Sequence, residues 1–295
     1  MRSLKLAITL AVVTSLTLTT PAVATKQNAP AADMPPVRYV ALGDSYTAAP
    51  LVPTTSIAGG CFRSDHNYPA VFAAAHPAYS LADVSCSGAT TTDFLQPQNT
   101  PFGPVPAQLD AVTPETGLVS ISIGGNDESV FGTLVTFCPT LRASDPTGAP
   151  CRRAMKLPGH RDALKAAVHR TRTRVLRMVR AVKTRAPHAR IVVVGYPQIV
   201  PTTGTCTDIL PLADRDYRYA RVINHLLTKA LRRAARKTGS TYINIWRASR
   251  GHDICSADPW INGSKTDKAR AQAYHPFAVE QAAVADLMAA ALDTP

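Results

Sequence analysis

The sequence predicts an α/β fold built on a parallel sheet, and three observations carry that prediction. Five short apolar runs, at 37–42, 80–84, 118–123, 191–195 and 241–246, are separated by loops and by segments of helical periodicity. Strands that alternate with helices form βαβ units, with parallel pairing and right-handed crossovers. The 295 residues are 45% hydrophobic and 18% charged, which is enough to bury a large core and is not the composition of a disordered chain. The 24 prolines and 16 glycines follow no period and serve as loop punctuation.

Residues 1–24 stand outside the expected fold. Arg2 and Lys5 precede a short apolar stretch over 6–16, and Ala22, Val23 and Ala24 supply the small residues of a cleavage site. That is the pattern of a secretory signal peptide, and the apolar run is too short to span a bilayer. Residues 25–36 are rich in alanine, proline and polar side chains and read as a flexible leader. The expected organisation is therefore a signal peptide (1–24), a leader (25–36) and one folded domain (37–295), with the mature protein secreted.

The first strand, 37–42, enters Gly43-Asp44-Ser45. A helix is expected over 68–75, capped by Asn67 or Tyr68 with Pro69 in its first turn. A weaker strand follows at 80–84. The strong strand at 118–123 ends in Gly124-Gly125-Asn126-Asp127. From 161 to 185, Leu164, Val168, Val175, Met178, Val179 and Val182 recur at helical spacing, with arginines on the other faces. Pro187 closes that helix, and a buried strand follows at 191–195. A second long helix spans 214–237 and is expected to turn Val222, Ile223, Leu226, Leu227 and Leu231 inward. Gly239 ends it, the last strand runs over 241–246, and an alanine-rich helix at 277–292 closes the chain.

Ligands of such sheets bind at the carboxyl ends of the strands. The loops after the first, third and fifth strands are therefore where chemistry is expected. Long segments near 128–160, 198–213 and 247–274 are available to wall a pocket there. Ser45 follows the first strand directly. Alone, Gly43-Asp44-Ser45 reads more readily as a helix cap. Asn126 follows a strand expected beside the first, where its amide can donate to a developing oxyanion. Gly88, in Ser87-Gly88-Ala89, has no side chain to keep its N–H from a substrate. Of eight histidines, His275 is distinctive because it directly precedes the closing helix and can reach the same sheet edge. A neutral imidazole there can take the proton of Ser45. His252, in the loop after the last strand, is a weaker candidate.

The order Gly-Asp-Ser, then Gly, then Gly-x-Asn-Asp, then His-Pro resembles the SGNH/GDSL hydrolase family. The secreted actinobacterial esterase and lipase branch is the nearer likeness. The resembling segments are 39–48, 61–69, 86–90, 121–127, 258–261 and His275-Pro276, and they cover essentially the whole mature chain in order. The resemblance implies a flavodoxin-like three-layer αβα sandwich with a five-stranded parallel sheet. It implies Ser45 as nucleophile, His275 as general base, and an oxyanion hole made by the Ser45 N–H, the Gly88 N–H and the Asn126 side chain. It also implies hydrolysis of carboxylic esters, with lipid or acyl esters as substrates and no cofactor or metal.

Many members of the family carry an aspartate three residues before the histidine, and here that position is Gln272. Some members orient the histidine with a backbone carbonyl instead, which nominates the Gln272 C=O, with Asp267 and Asp258 as carboxylate alternatives. The usual Asn-x-x-Gly after His-Pro is here replaced by 277–280, ending in Glu280.

Six cysteines in an exported chain suggest disulfides, and their spacing alone leaves 15 connectivities open. The simplest is consecutive pairing: Cys61–Cys86, Cys138–Cys151 and Cys206–Cys255. Sequential disulfides are also usual in the resembling branch. No C-x-x-C pair points to zinc.

The net charge of +12 raises a competing reading. A non-catalytic exported binder could hold acidic polymers or anionic surfaces through its arginine-rich helices. Between the two stands an enzyme brought by its charge to anionic lipid or to the cell wall. No nucleic-acid-binding motif accompanies the charge, and no obligate protein partner is evident. A binder has no need of Ser45, Gly88, Asn126 and His275 together, which favours the enzyme.

Overall fold

A computed structural model describes residues 35–293. The expected signal peptide (1–24) and all but the last two residues of the expected leader lie outside the described residues.

Five parallel strands form the central sheet: β1 (Val37–Gly43), β2 (Tyr79–Asp83), β3 (Thr116–Ser122), β4 (Arg190–Val194) and β5 (Thr241–Ile243). Their spatial order is β5-β4-β3-β1-β2. This is the flavodoxin-like order, in which the chain reverses its winding between β1 and β3. The register sets Gly43 opposite Ser122 and Val193 opposite Ile121. The helices that pack on the sheet or lead from it are α1 (Ser45–Ala48), α2 (Tyr68–Ala75), α3 (Ala163–Arg185), α4 (Asp216–Thr238) and α5 (Ala278–Leu292).

The strands are apolar on both faces because helices cover both. Val40, Leu42, Val119, Ile121, Ile191 and Val193 pack in one layer with α3 and α4. Their neighbours Tyr39, Ala41, Leu118, Val192, Val194 and Ile243 pack in the other with α2 and α5. This alternation is the period-two geometry of a strand, and each fully buried aliphatic side chain contributes roughly 1.5–3 kcal/mol. The starts of α2 and α3 are capped by side chains, the first by Asn67 as expected and the second by Asp162, where a helix start at 161 is expected. Asn67 caps α2 by accepting from Ala70 N at 3.0 Å, and Asp162 caps α3 by accepting from Lys165 N at 3.0 Å.

Two expectations need correction. The last strand stops at Ile243, because Asn244 caps a helical turn over Ile245–Ala248. Val222 faces outward and is 37% exposed, while Ile223, Leu227 and Leu231 are buried. Positions 223, 227 and 231 recur at four-residue spacing on one face, and 222 lies about 100° away from 223 around the helix. Disulfides join Cys61 to Cys86, Cys138 to Cys151 and Cys206 to Cys255.

The closing helix begins at Ala278 without a side-chain cap, and its first turn buries Glu280 at 2% exposure. Gln281 Nε2 donates to Glu280 Oε2 at 2.7 Å, and burial pushes this carboxyl up to about 8 from its ordinary 4.5. The folded state therefore keeps a proton that the unfolded chain sheds, and Glu280 subtracts stability as pH rises from about 4.5 to about 8. Glu280→Gln keeps an acceptor for Gln281 and removes the titration. The variant should gain in melting temperature over the parent, by an amount that grows between pH 5 and pH 8. Thermal unfolding at three pH values checks this, and a difference independent of pH would refute it.

Candidate active site

β1 and β3 are neighbours in mid-sheet, so the segments that follow them emerge side by side. Asp44 N donates to Ser122 O at 3.0 Å across this junction. Position 43 admits only glycine: a Cβ there would lie 2.0 Å from Thr47 Oγ1 and 2.6 Å from the Ser122 carbonyl. The Gln108 side-chain amide clamps the strand end, accepting from Gly43 N and donating to Gly43 O, each at 2.8 Å. Ser45 therefore starts α1 on a turn held from both sides, and it is 7% exposed.

Asp44 caps α1 by accepting from Tyr46 N at 2.9 Å. Its other carboxylate oxygen accepts from the Tyr196 hydroxyl, which in turn accepts from Gly125 N at 2.9 Å. Burial pushes Asp44 up to about 7 against the pull of these hydrogen bonds. The network ties the Ser45 turn to the Gly124–Asn126 turn. Gly124 has φ +112, and a Cβ there would fall 2.6 Å from Thr171 Cγ2 on α3, so a side chain is excluded on both counts. Beyond Asn126, Glu128 and Ser129 hold left-handed conformations that non-glycine residues rarely adopt. Arg170 and Arg174 of α3 pair with Glu128 and hold this turn in place. Asp127 is buried and accepts from Thr91 N at 2.8 Å and Thr91 Oγ1 at 2.7 Å.

Asn126 Nδ2 donates to Ala89 O at 3.0 Å. A carboxamide has two N–H donors, so this bond orients the group and leaves one donor free for a ligand.

Ser45, Asn126 and His275 line one cavity of about 280 Å³. Its other walls come from the three long segments: Phe131, Val135 and Thr136 from the first, Ile199 from the second, and residues 272–274 from the third. No carboxylate lines it.

His275 sits at the end of a cross-braced loop. Asn262 Nδ2 donates to the carbonyls of Lys265, Ala271 and Gln272, and Asn262 N donates to His275 O at 2.9 Å. Tyr46 Oη donates to Tyr274 O at 2.7 Å, and the Tyr46 ring lies 5.7 Å from that of His275. The carbonyl that meets His275 Nδ1 is Ala273 O, at 2.7 Å, and not the expected Gln272 O. Gln272 O accepts instead from His275 N at 3.1 Å, inside the turn. With Nδ1–H donated to Ala273, the tautomer leaves Nε2 as the basic nitrogen. Burial holds the imidazole below its usual value, opposed by the Ala273 hydrogen bond. The alternative carboxylates are engaged elsewhere: Asp258 lies 3.3 Å from His252, and Asp267 caps a turn by accepting from Ala269 N. His252 itself stacks on Trp260.

Gly88 lies on the loop that follows β2. It is exposed and is not among the residues that line the cavity, although Gln98 Nε2 braces its loop by donating to Ser87 O at 2.8 Å.

Sequence reasoning missed Gln108, Tyr196, Asn262 and Gln281. Gln281 bonds Tyr46 O and Tyr68 N and so ties α5 to the Ser45 turn. None belongs to a local motif. Three of the four act on partners 65 to 235 residues away along the chain, which no local window contains.

The sequence profile of the GDSL-like Lipase/Acylhydrolase family matches residues 41–278. The chain is 42% identical to Lipase 2 of Streptomyces coelicolor over 241 residues, covering 79% of this chain and 78% of the relative. Its fold is similar to the crystal structure of phospholipase A1 from Streptomyces albidoflavus, with TM-score 0.67 and 30% identity, covering 87% of this chain and 99% of the other. It is also similar to an extracellular lipase from Streptomyces rimosus, with TM-score 0.66 and 27% identity over 86% and 99% of the two chains.

Proposed function

Because the chain belongs to the GDSL-like lipase/acylhydrolase family and is a carboxylic ester hydrolase, we propose that it is a secreted enzyme that cleaves acyl esters at a Ser45–His275 site. The observation that carries this reading is the single cavity that Ser45, Asn126 and His275 line together, with the imidazole oriented by the Ala273 carbonyl.

In this mechanism His275 Nε2 takes the Ser45 proton as Oγ attacks the ester carbonyl. The imidazolium is stabilised by Ala273 O at 2.7 Å, which aligns the ring but carries no full charge. The tetrahedral oxyanion receives hydrogen bonds from the Ser45 N–H and the free Asn126 N–H. The Gly88 N–H, on the neighbouring loop, is the third donor in this reading. Each such donor is worth about 3–4 kcal/mol in the transition state. His275 then returns the proton to the leaving alcohol, and water repeats the cycle on the acyl-enzyme.

The wall of Phe131, Val135 and Ile199 favours an apolar acyl chain. These side chains also border a small, largely apolar void of about 10 Å³ flanked by Leu134, Leu210 and Leu212. The mature protein should therefore prefer p-nitrophenyl esters of medium to long chains, by at least tenfold in kcat/KM over the acetate. A phospholipid and an acetylated sugar tested alongside separate a lipid hydrolase from a deacetylase. Preference for the acetylated sugar would overturn the acyl-chain reading while leaving ester hydrolysis intact.

A further inference from the structure

A cavity larger than the one that holds Ser45 lies elsewhere among the described residues. It is a trough of about 580 Å³ along the outer seam between α3 and α4. Lys165 and Arg172 of α3 face Lys229, Arg232, Arg233 and Arg236 of α4 across it, and no acidic residue lines it. Five of these six cations are exposed and Arg172 is half-buried. Among the described residues none of the six is in an ion pair, although Arg170, Arg174 and Arg185 on the same helix all find carboxylates. Arg172 instead donates to His169 Nε2 at 2.6 Å, so that histidine turns its acceptor nitrogen to its cationic neighbour. A second hollow, sharing Arg172 and Arg233, continues the trough to Lys237.

Gathering uncompensated charge of one sign costs folding stability through self-repulsion, a cost that a bound anion relieves. The shape selects the kind of anion. Along α4 the cations recur about once per turn, roughly 5.4 Å apart, while Lys165 and Arg172 of α3 stand about two turns apart, so cations flank both sides of a concave floor of Val168 and Ala230. A flat bilayer touches the rims of a trough, whereas an extended chain of phosphates fills it. We propose that the seam of α3 and α4 binds a linear phosphate-linked polymer, laid along the helix axes between the flanking cations. Arginine pairs with phosphate oxygens in two-pronged fashion, and Lys165 and Lys229 add point charges. Such a site would hold the enzyme on an anionic matrix while the Ser45 cavity stays free for substrate.

Long-chain inorganic polyphosphate is the probe. Binding followed by fluorescence anisotropy across a salt series should give a log–log slope of about −4, on the rule of roughly 0.7 per engaged cation. The variant Arg172→Gln/Arg233→Gln/Arg236→Gln should halve that slope and weaken binding at least tenfold. A control that removes three exposed cations elsewhere, Arg215→Gln/Arg250→Gln/Lys268→Gln, should weaken binding less than threefold. Both variants should hydrolyse a soluble ester at the parent rate, which verifies the fold and separates this proposal from the one on Ser45. Equal losses in the two variants would overturn the proposal in favour of diffuse attraction by net charge. Seam-dependent binding to vesicles of anionic phospholipid, with none to polyphosphate, would overturn it in favour of a membrane surface.

Discussion

Ser45→Ala should remove ester hydrolysis almost completely, by about a millionfold in kcat, the scale seen when the nucleophile of a serine hydrolase is deleted. The substitution deletes only Oγ. Alanine suits the first turn of α1, and the bonds that hold this turn run to Gly43, Asp44 and Tyr46 and not to the serine hydroxyl. The melting temperature should therefore stay near that of the parent. The oxyanion donors remain, so a residue of catalysis, about 10³–10⁴ over water, should persist in the variant. A serine-directed phosphonate should label the parent once, at Ser45, and the variant not at all. Full turnover by the alanine variant would end the assignment of this site.

His275→Ala should cost turnover on a similar scale, and the pH profile should reveal how the imidazole is supported. Only the neutral ring can accept the Ser45 proton. Burial lowers the pKa of His275, so the neutral form persists below the ordinary value of about 6.5. Activity should be flat from pH 8 down to about 6.5 and fall only in more acidic buffer. The supporting atom is the Ala273 carbonyl, which side-chain substitutions leave in place. Gln272→Ala, Asp258→Asn and Asp267→Asn should each change kcat/KM by no more than a few-fold. Loss of a triad carboxylate costs about 10⁴ elsewhere. A drop of that size in either aspartate variant would replace the backbone-assisted pair with a carboxylate triad. Measuring the three variants across pH distinguishes the two.

The two halves of the site differ in how far local sequence specifies them. Ser45 and Asn126 each follow a strand whose apolar run is plain, and parallel strands deliver such residues to one edge whatever the rest of the chain does. His275 was legible because it abuts the closing helix. Its partner was not. A one-residue change in turn geometry decides whether the carbonyl of 272 or of 273 meets Nδ1, and that choice depends on Tyr274 at φ +61 and on the bonds from Asn262. Val222 shows the same limit. It belongs to the apolar stripe by composition, yet the packing of α4 on the sheet leaves it 37% exposed.

Local chemistry within the sequence determined the alternation of strands and helices, the cap at Asn67, and the positions of Ser45, Asn126 and His275. Each depends on hydrophobic period, turn residues or neighbours a few positions away, and these are printed in the order of the residues. Only the tertiary structure decided that Gln108, Tyr196 and Gln281 hold the nucleophile's turn, that Ala273 orients the imidazole, and that the cations of α3 and α4 face each other across a trough. Those arrangements join atoms distant along the chain, and side chains meet there only after two layers of helices have closed on the sheet.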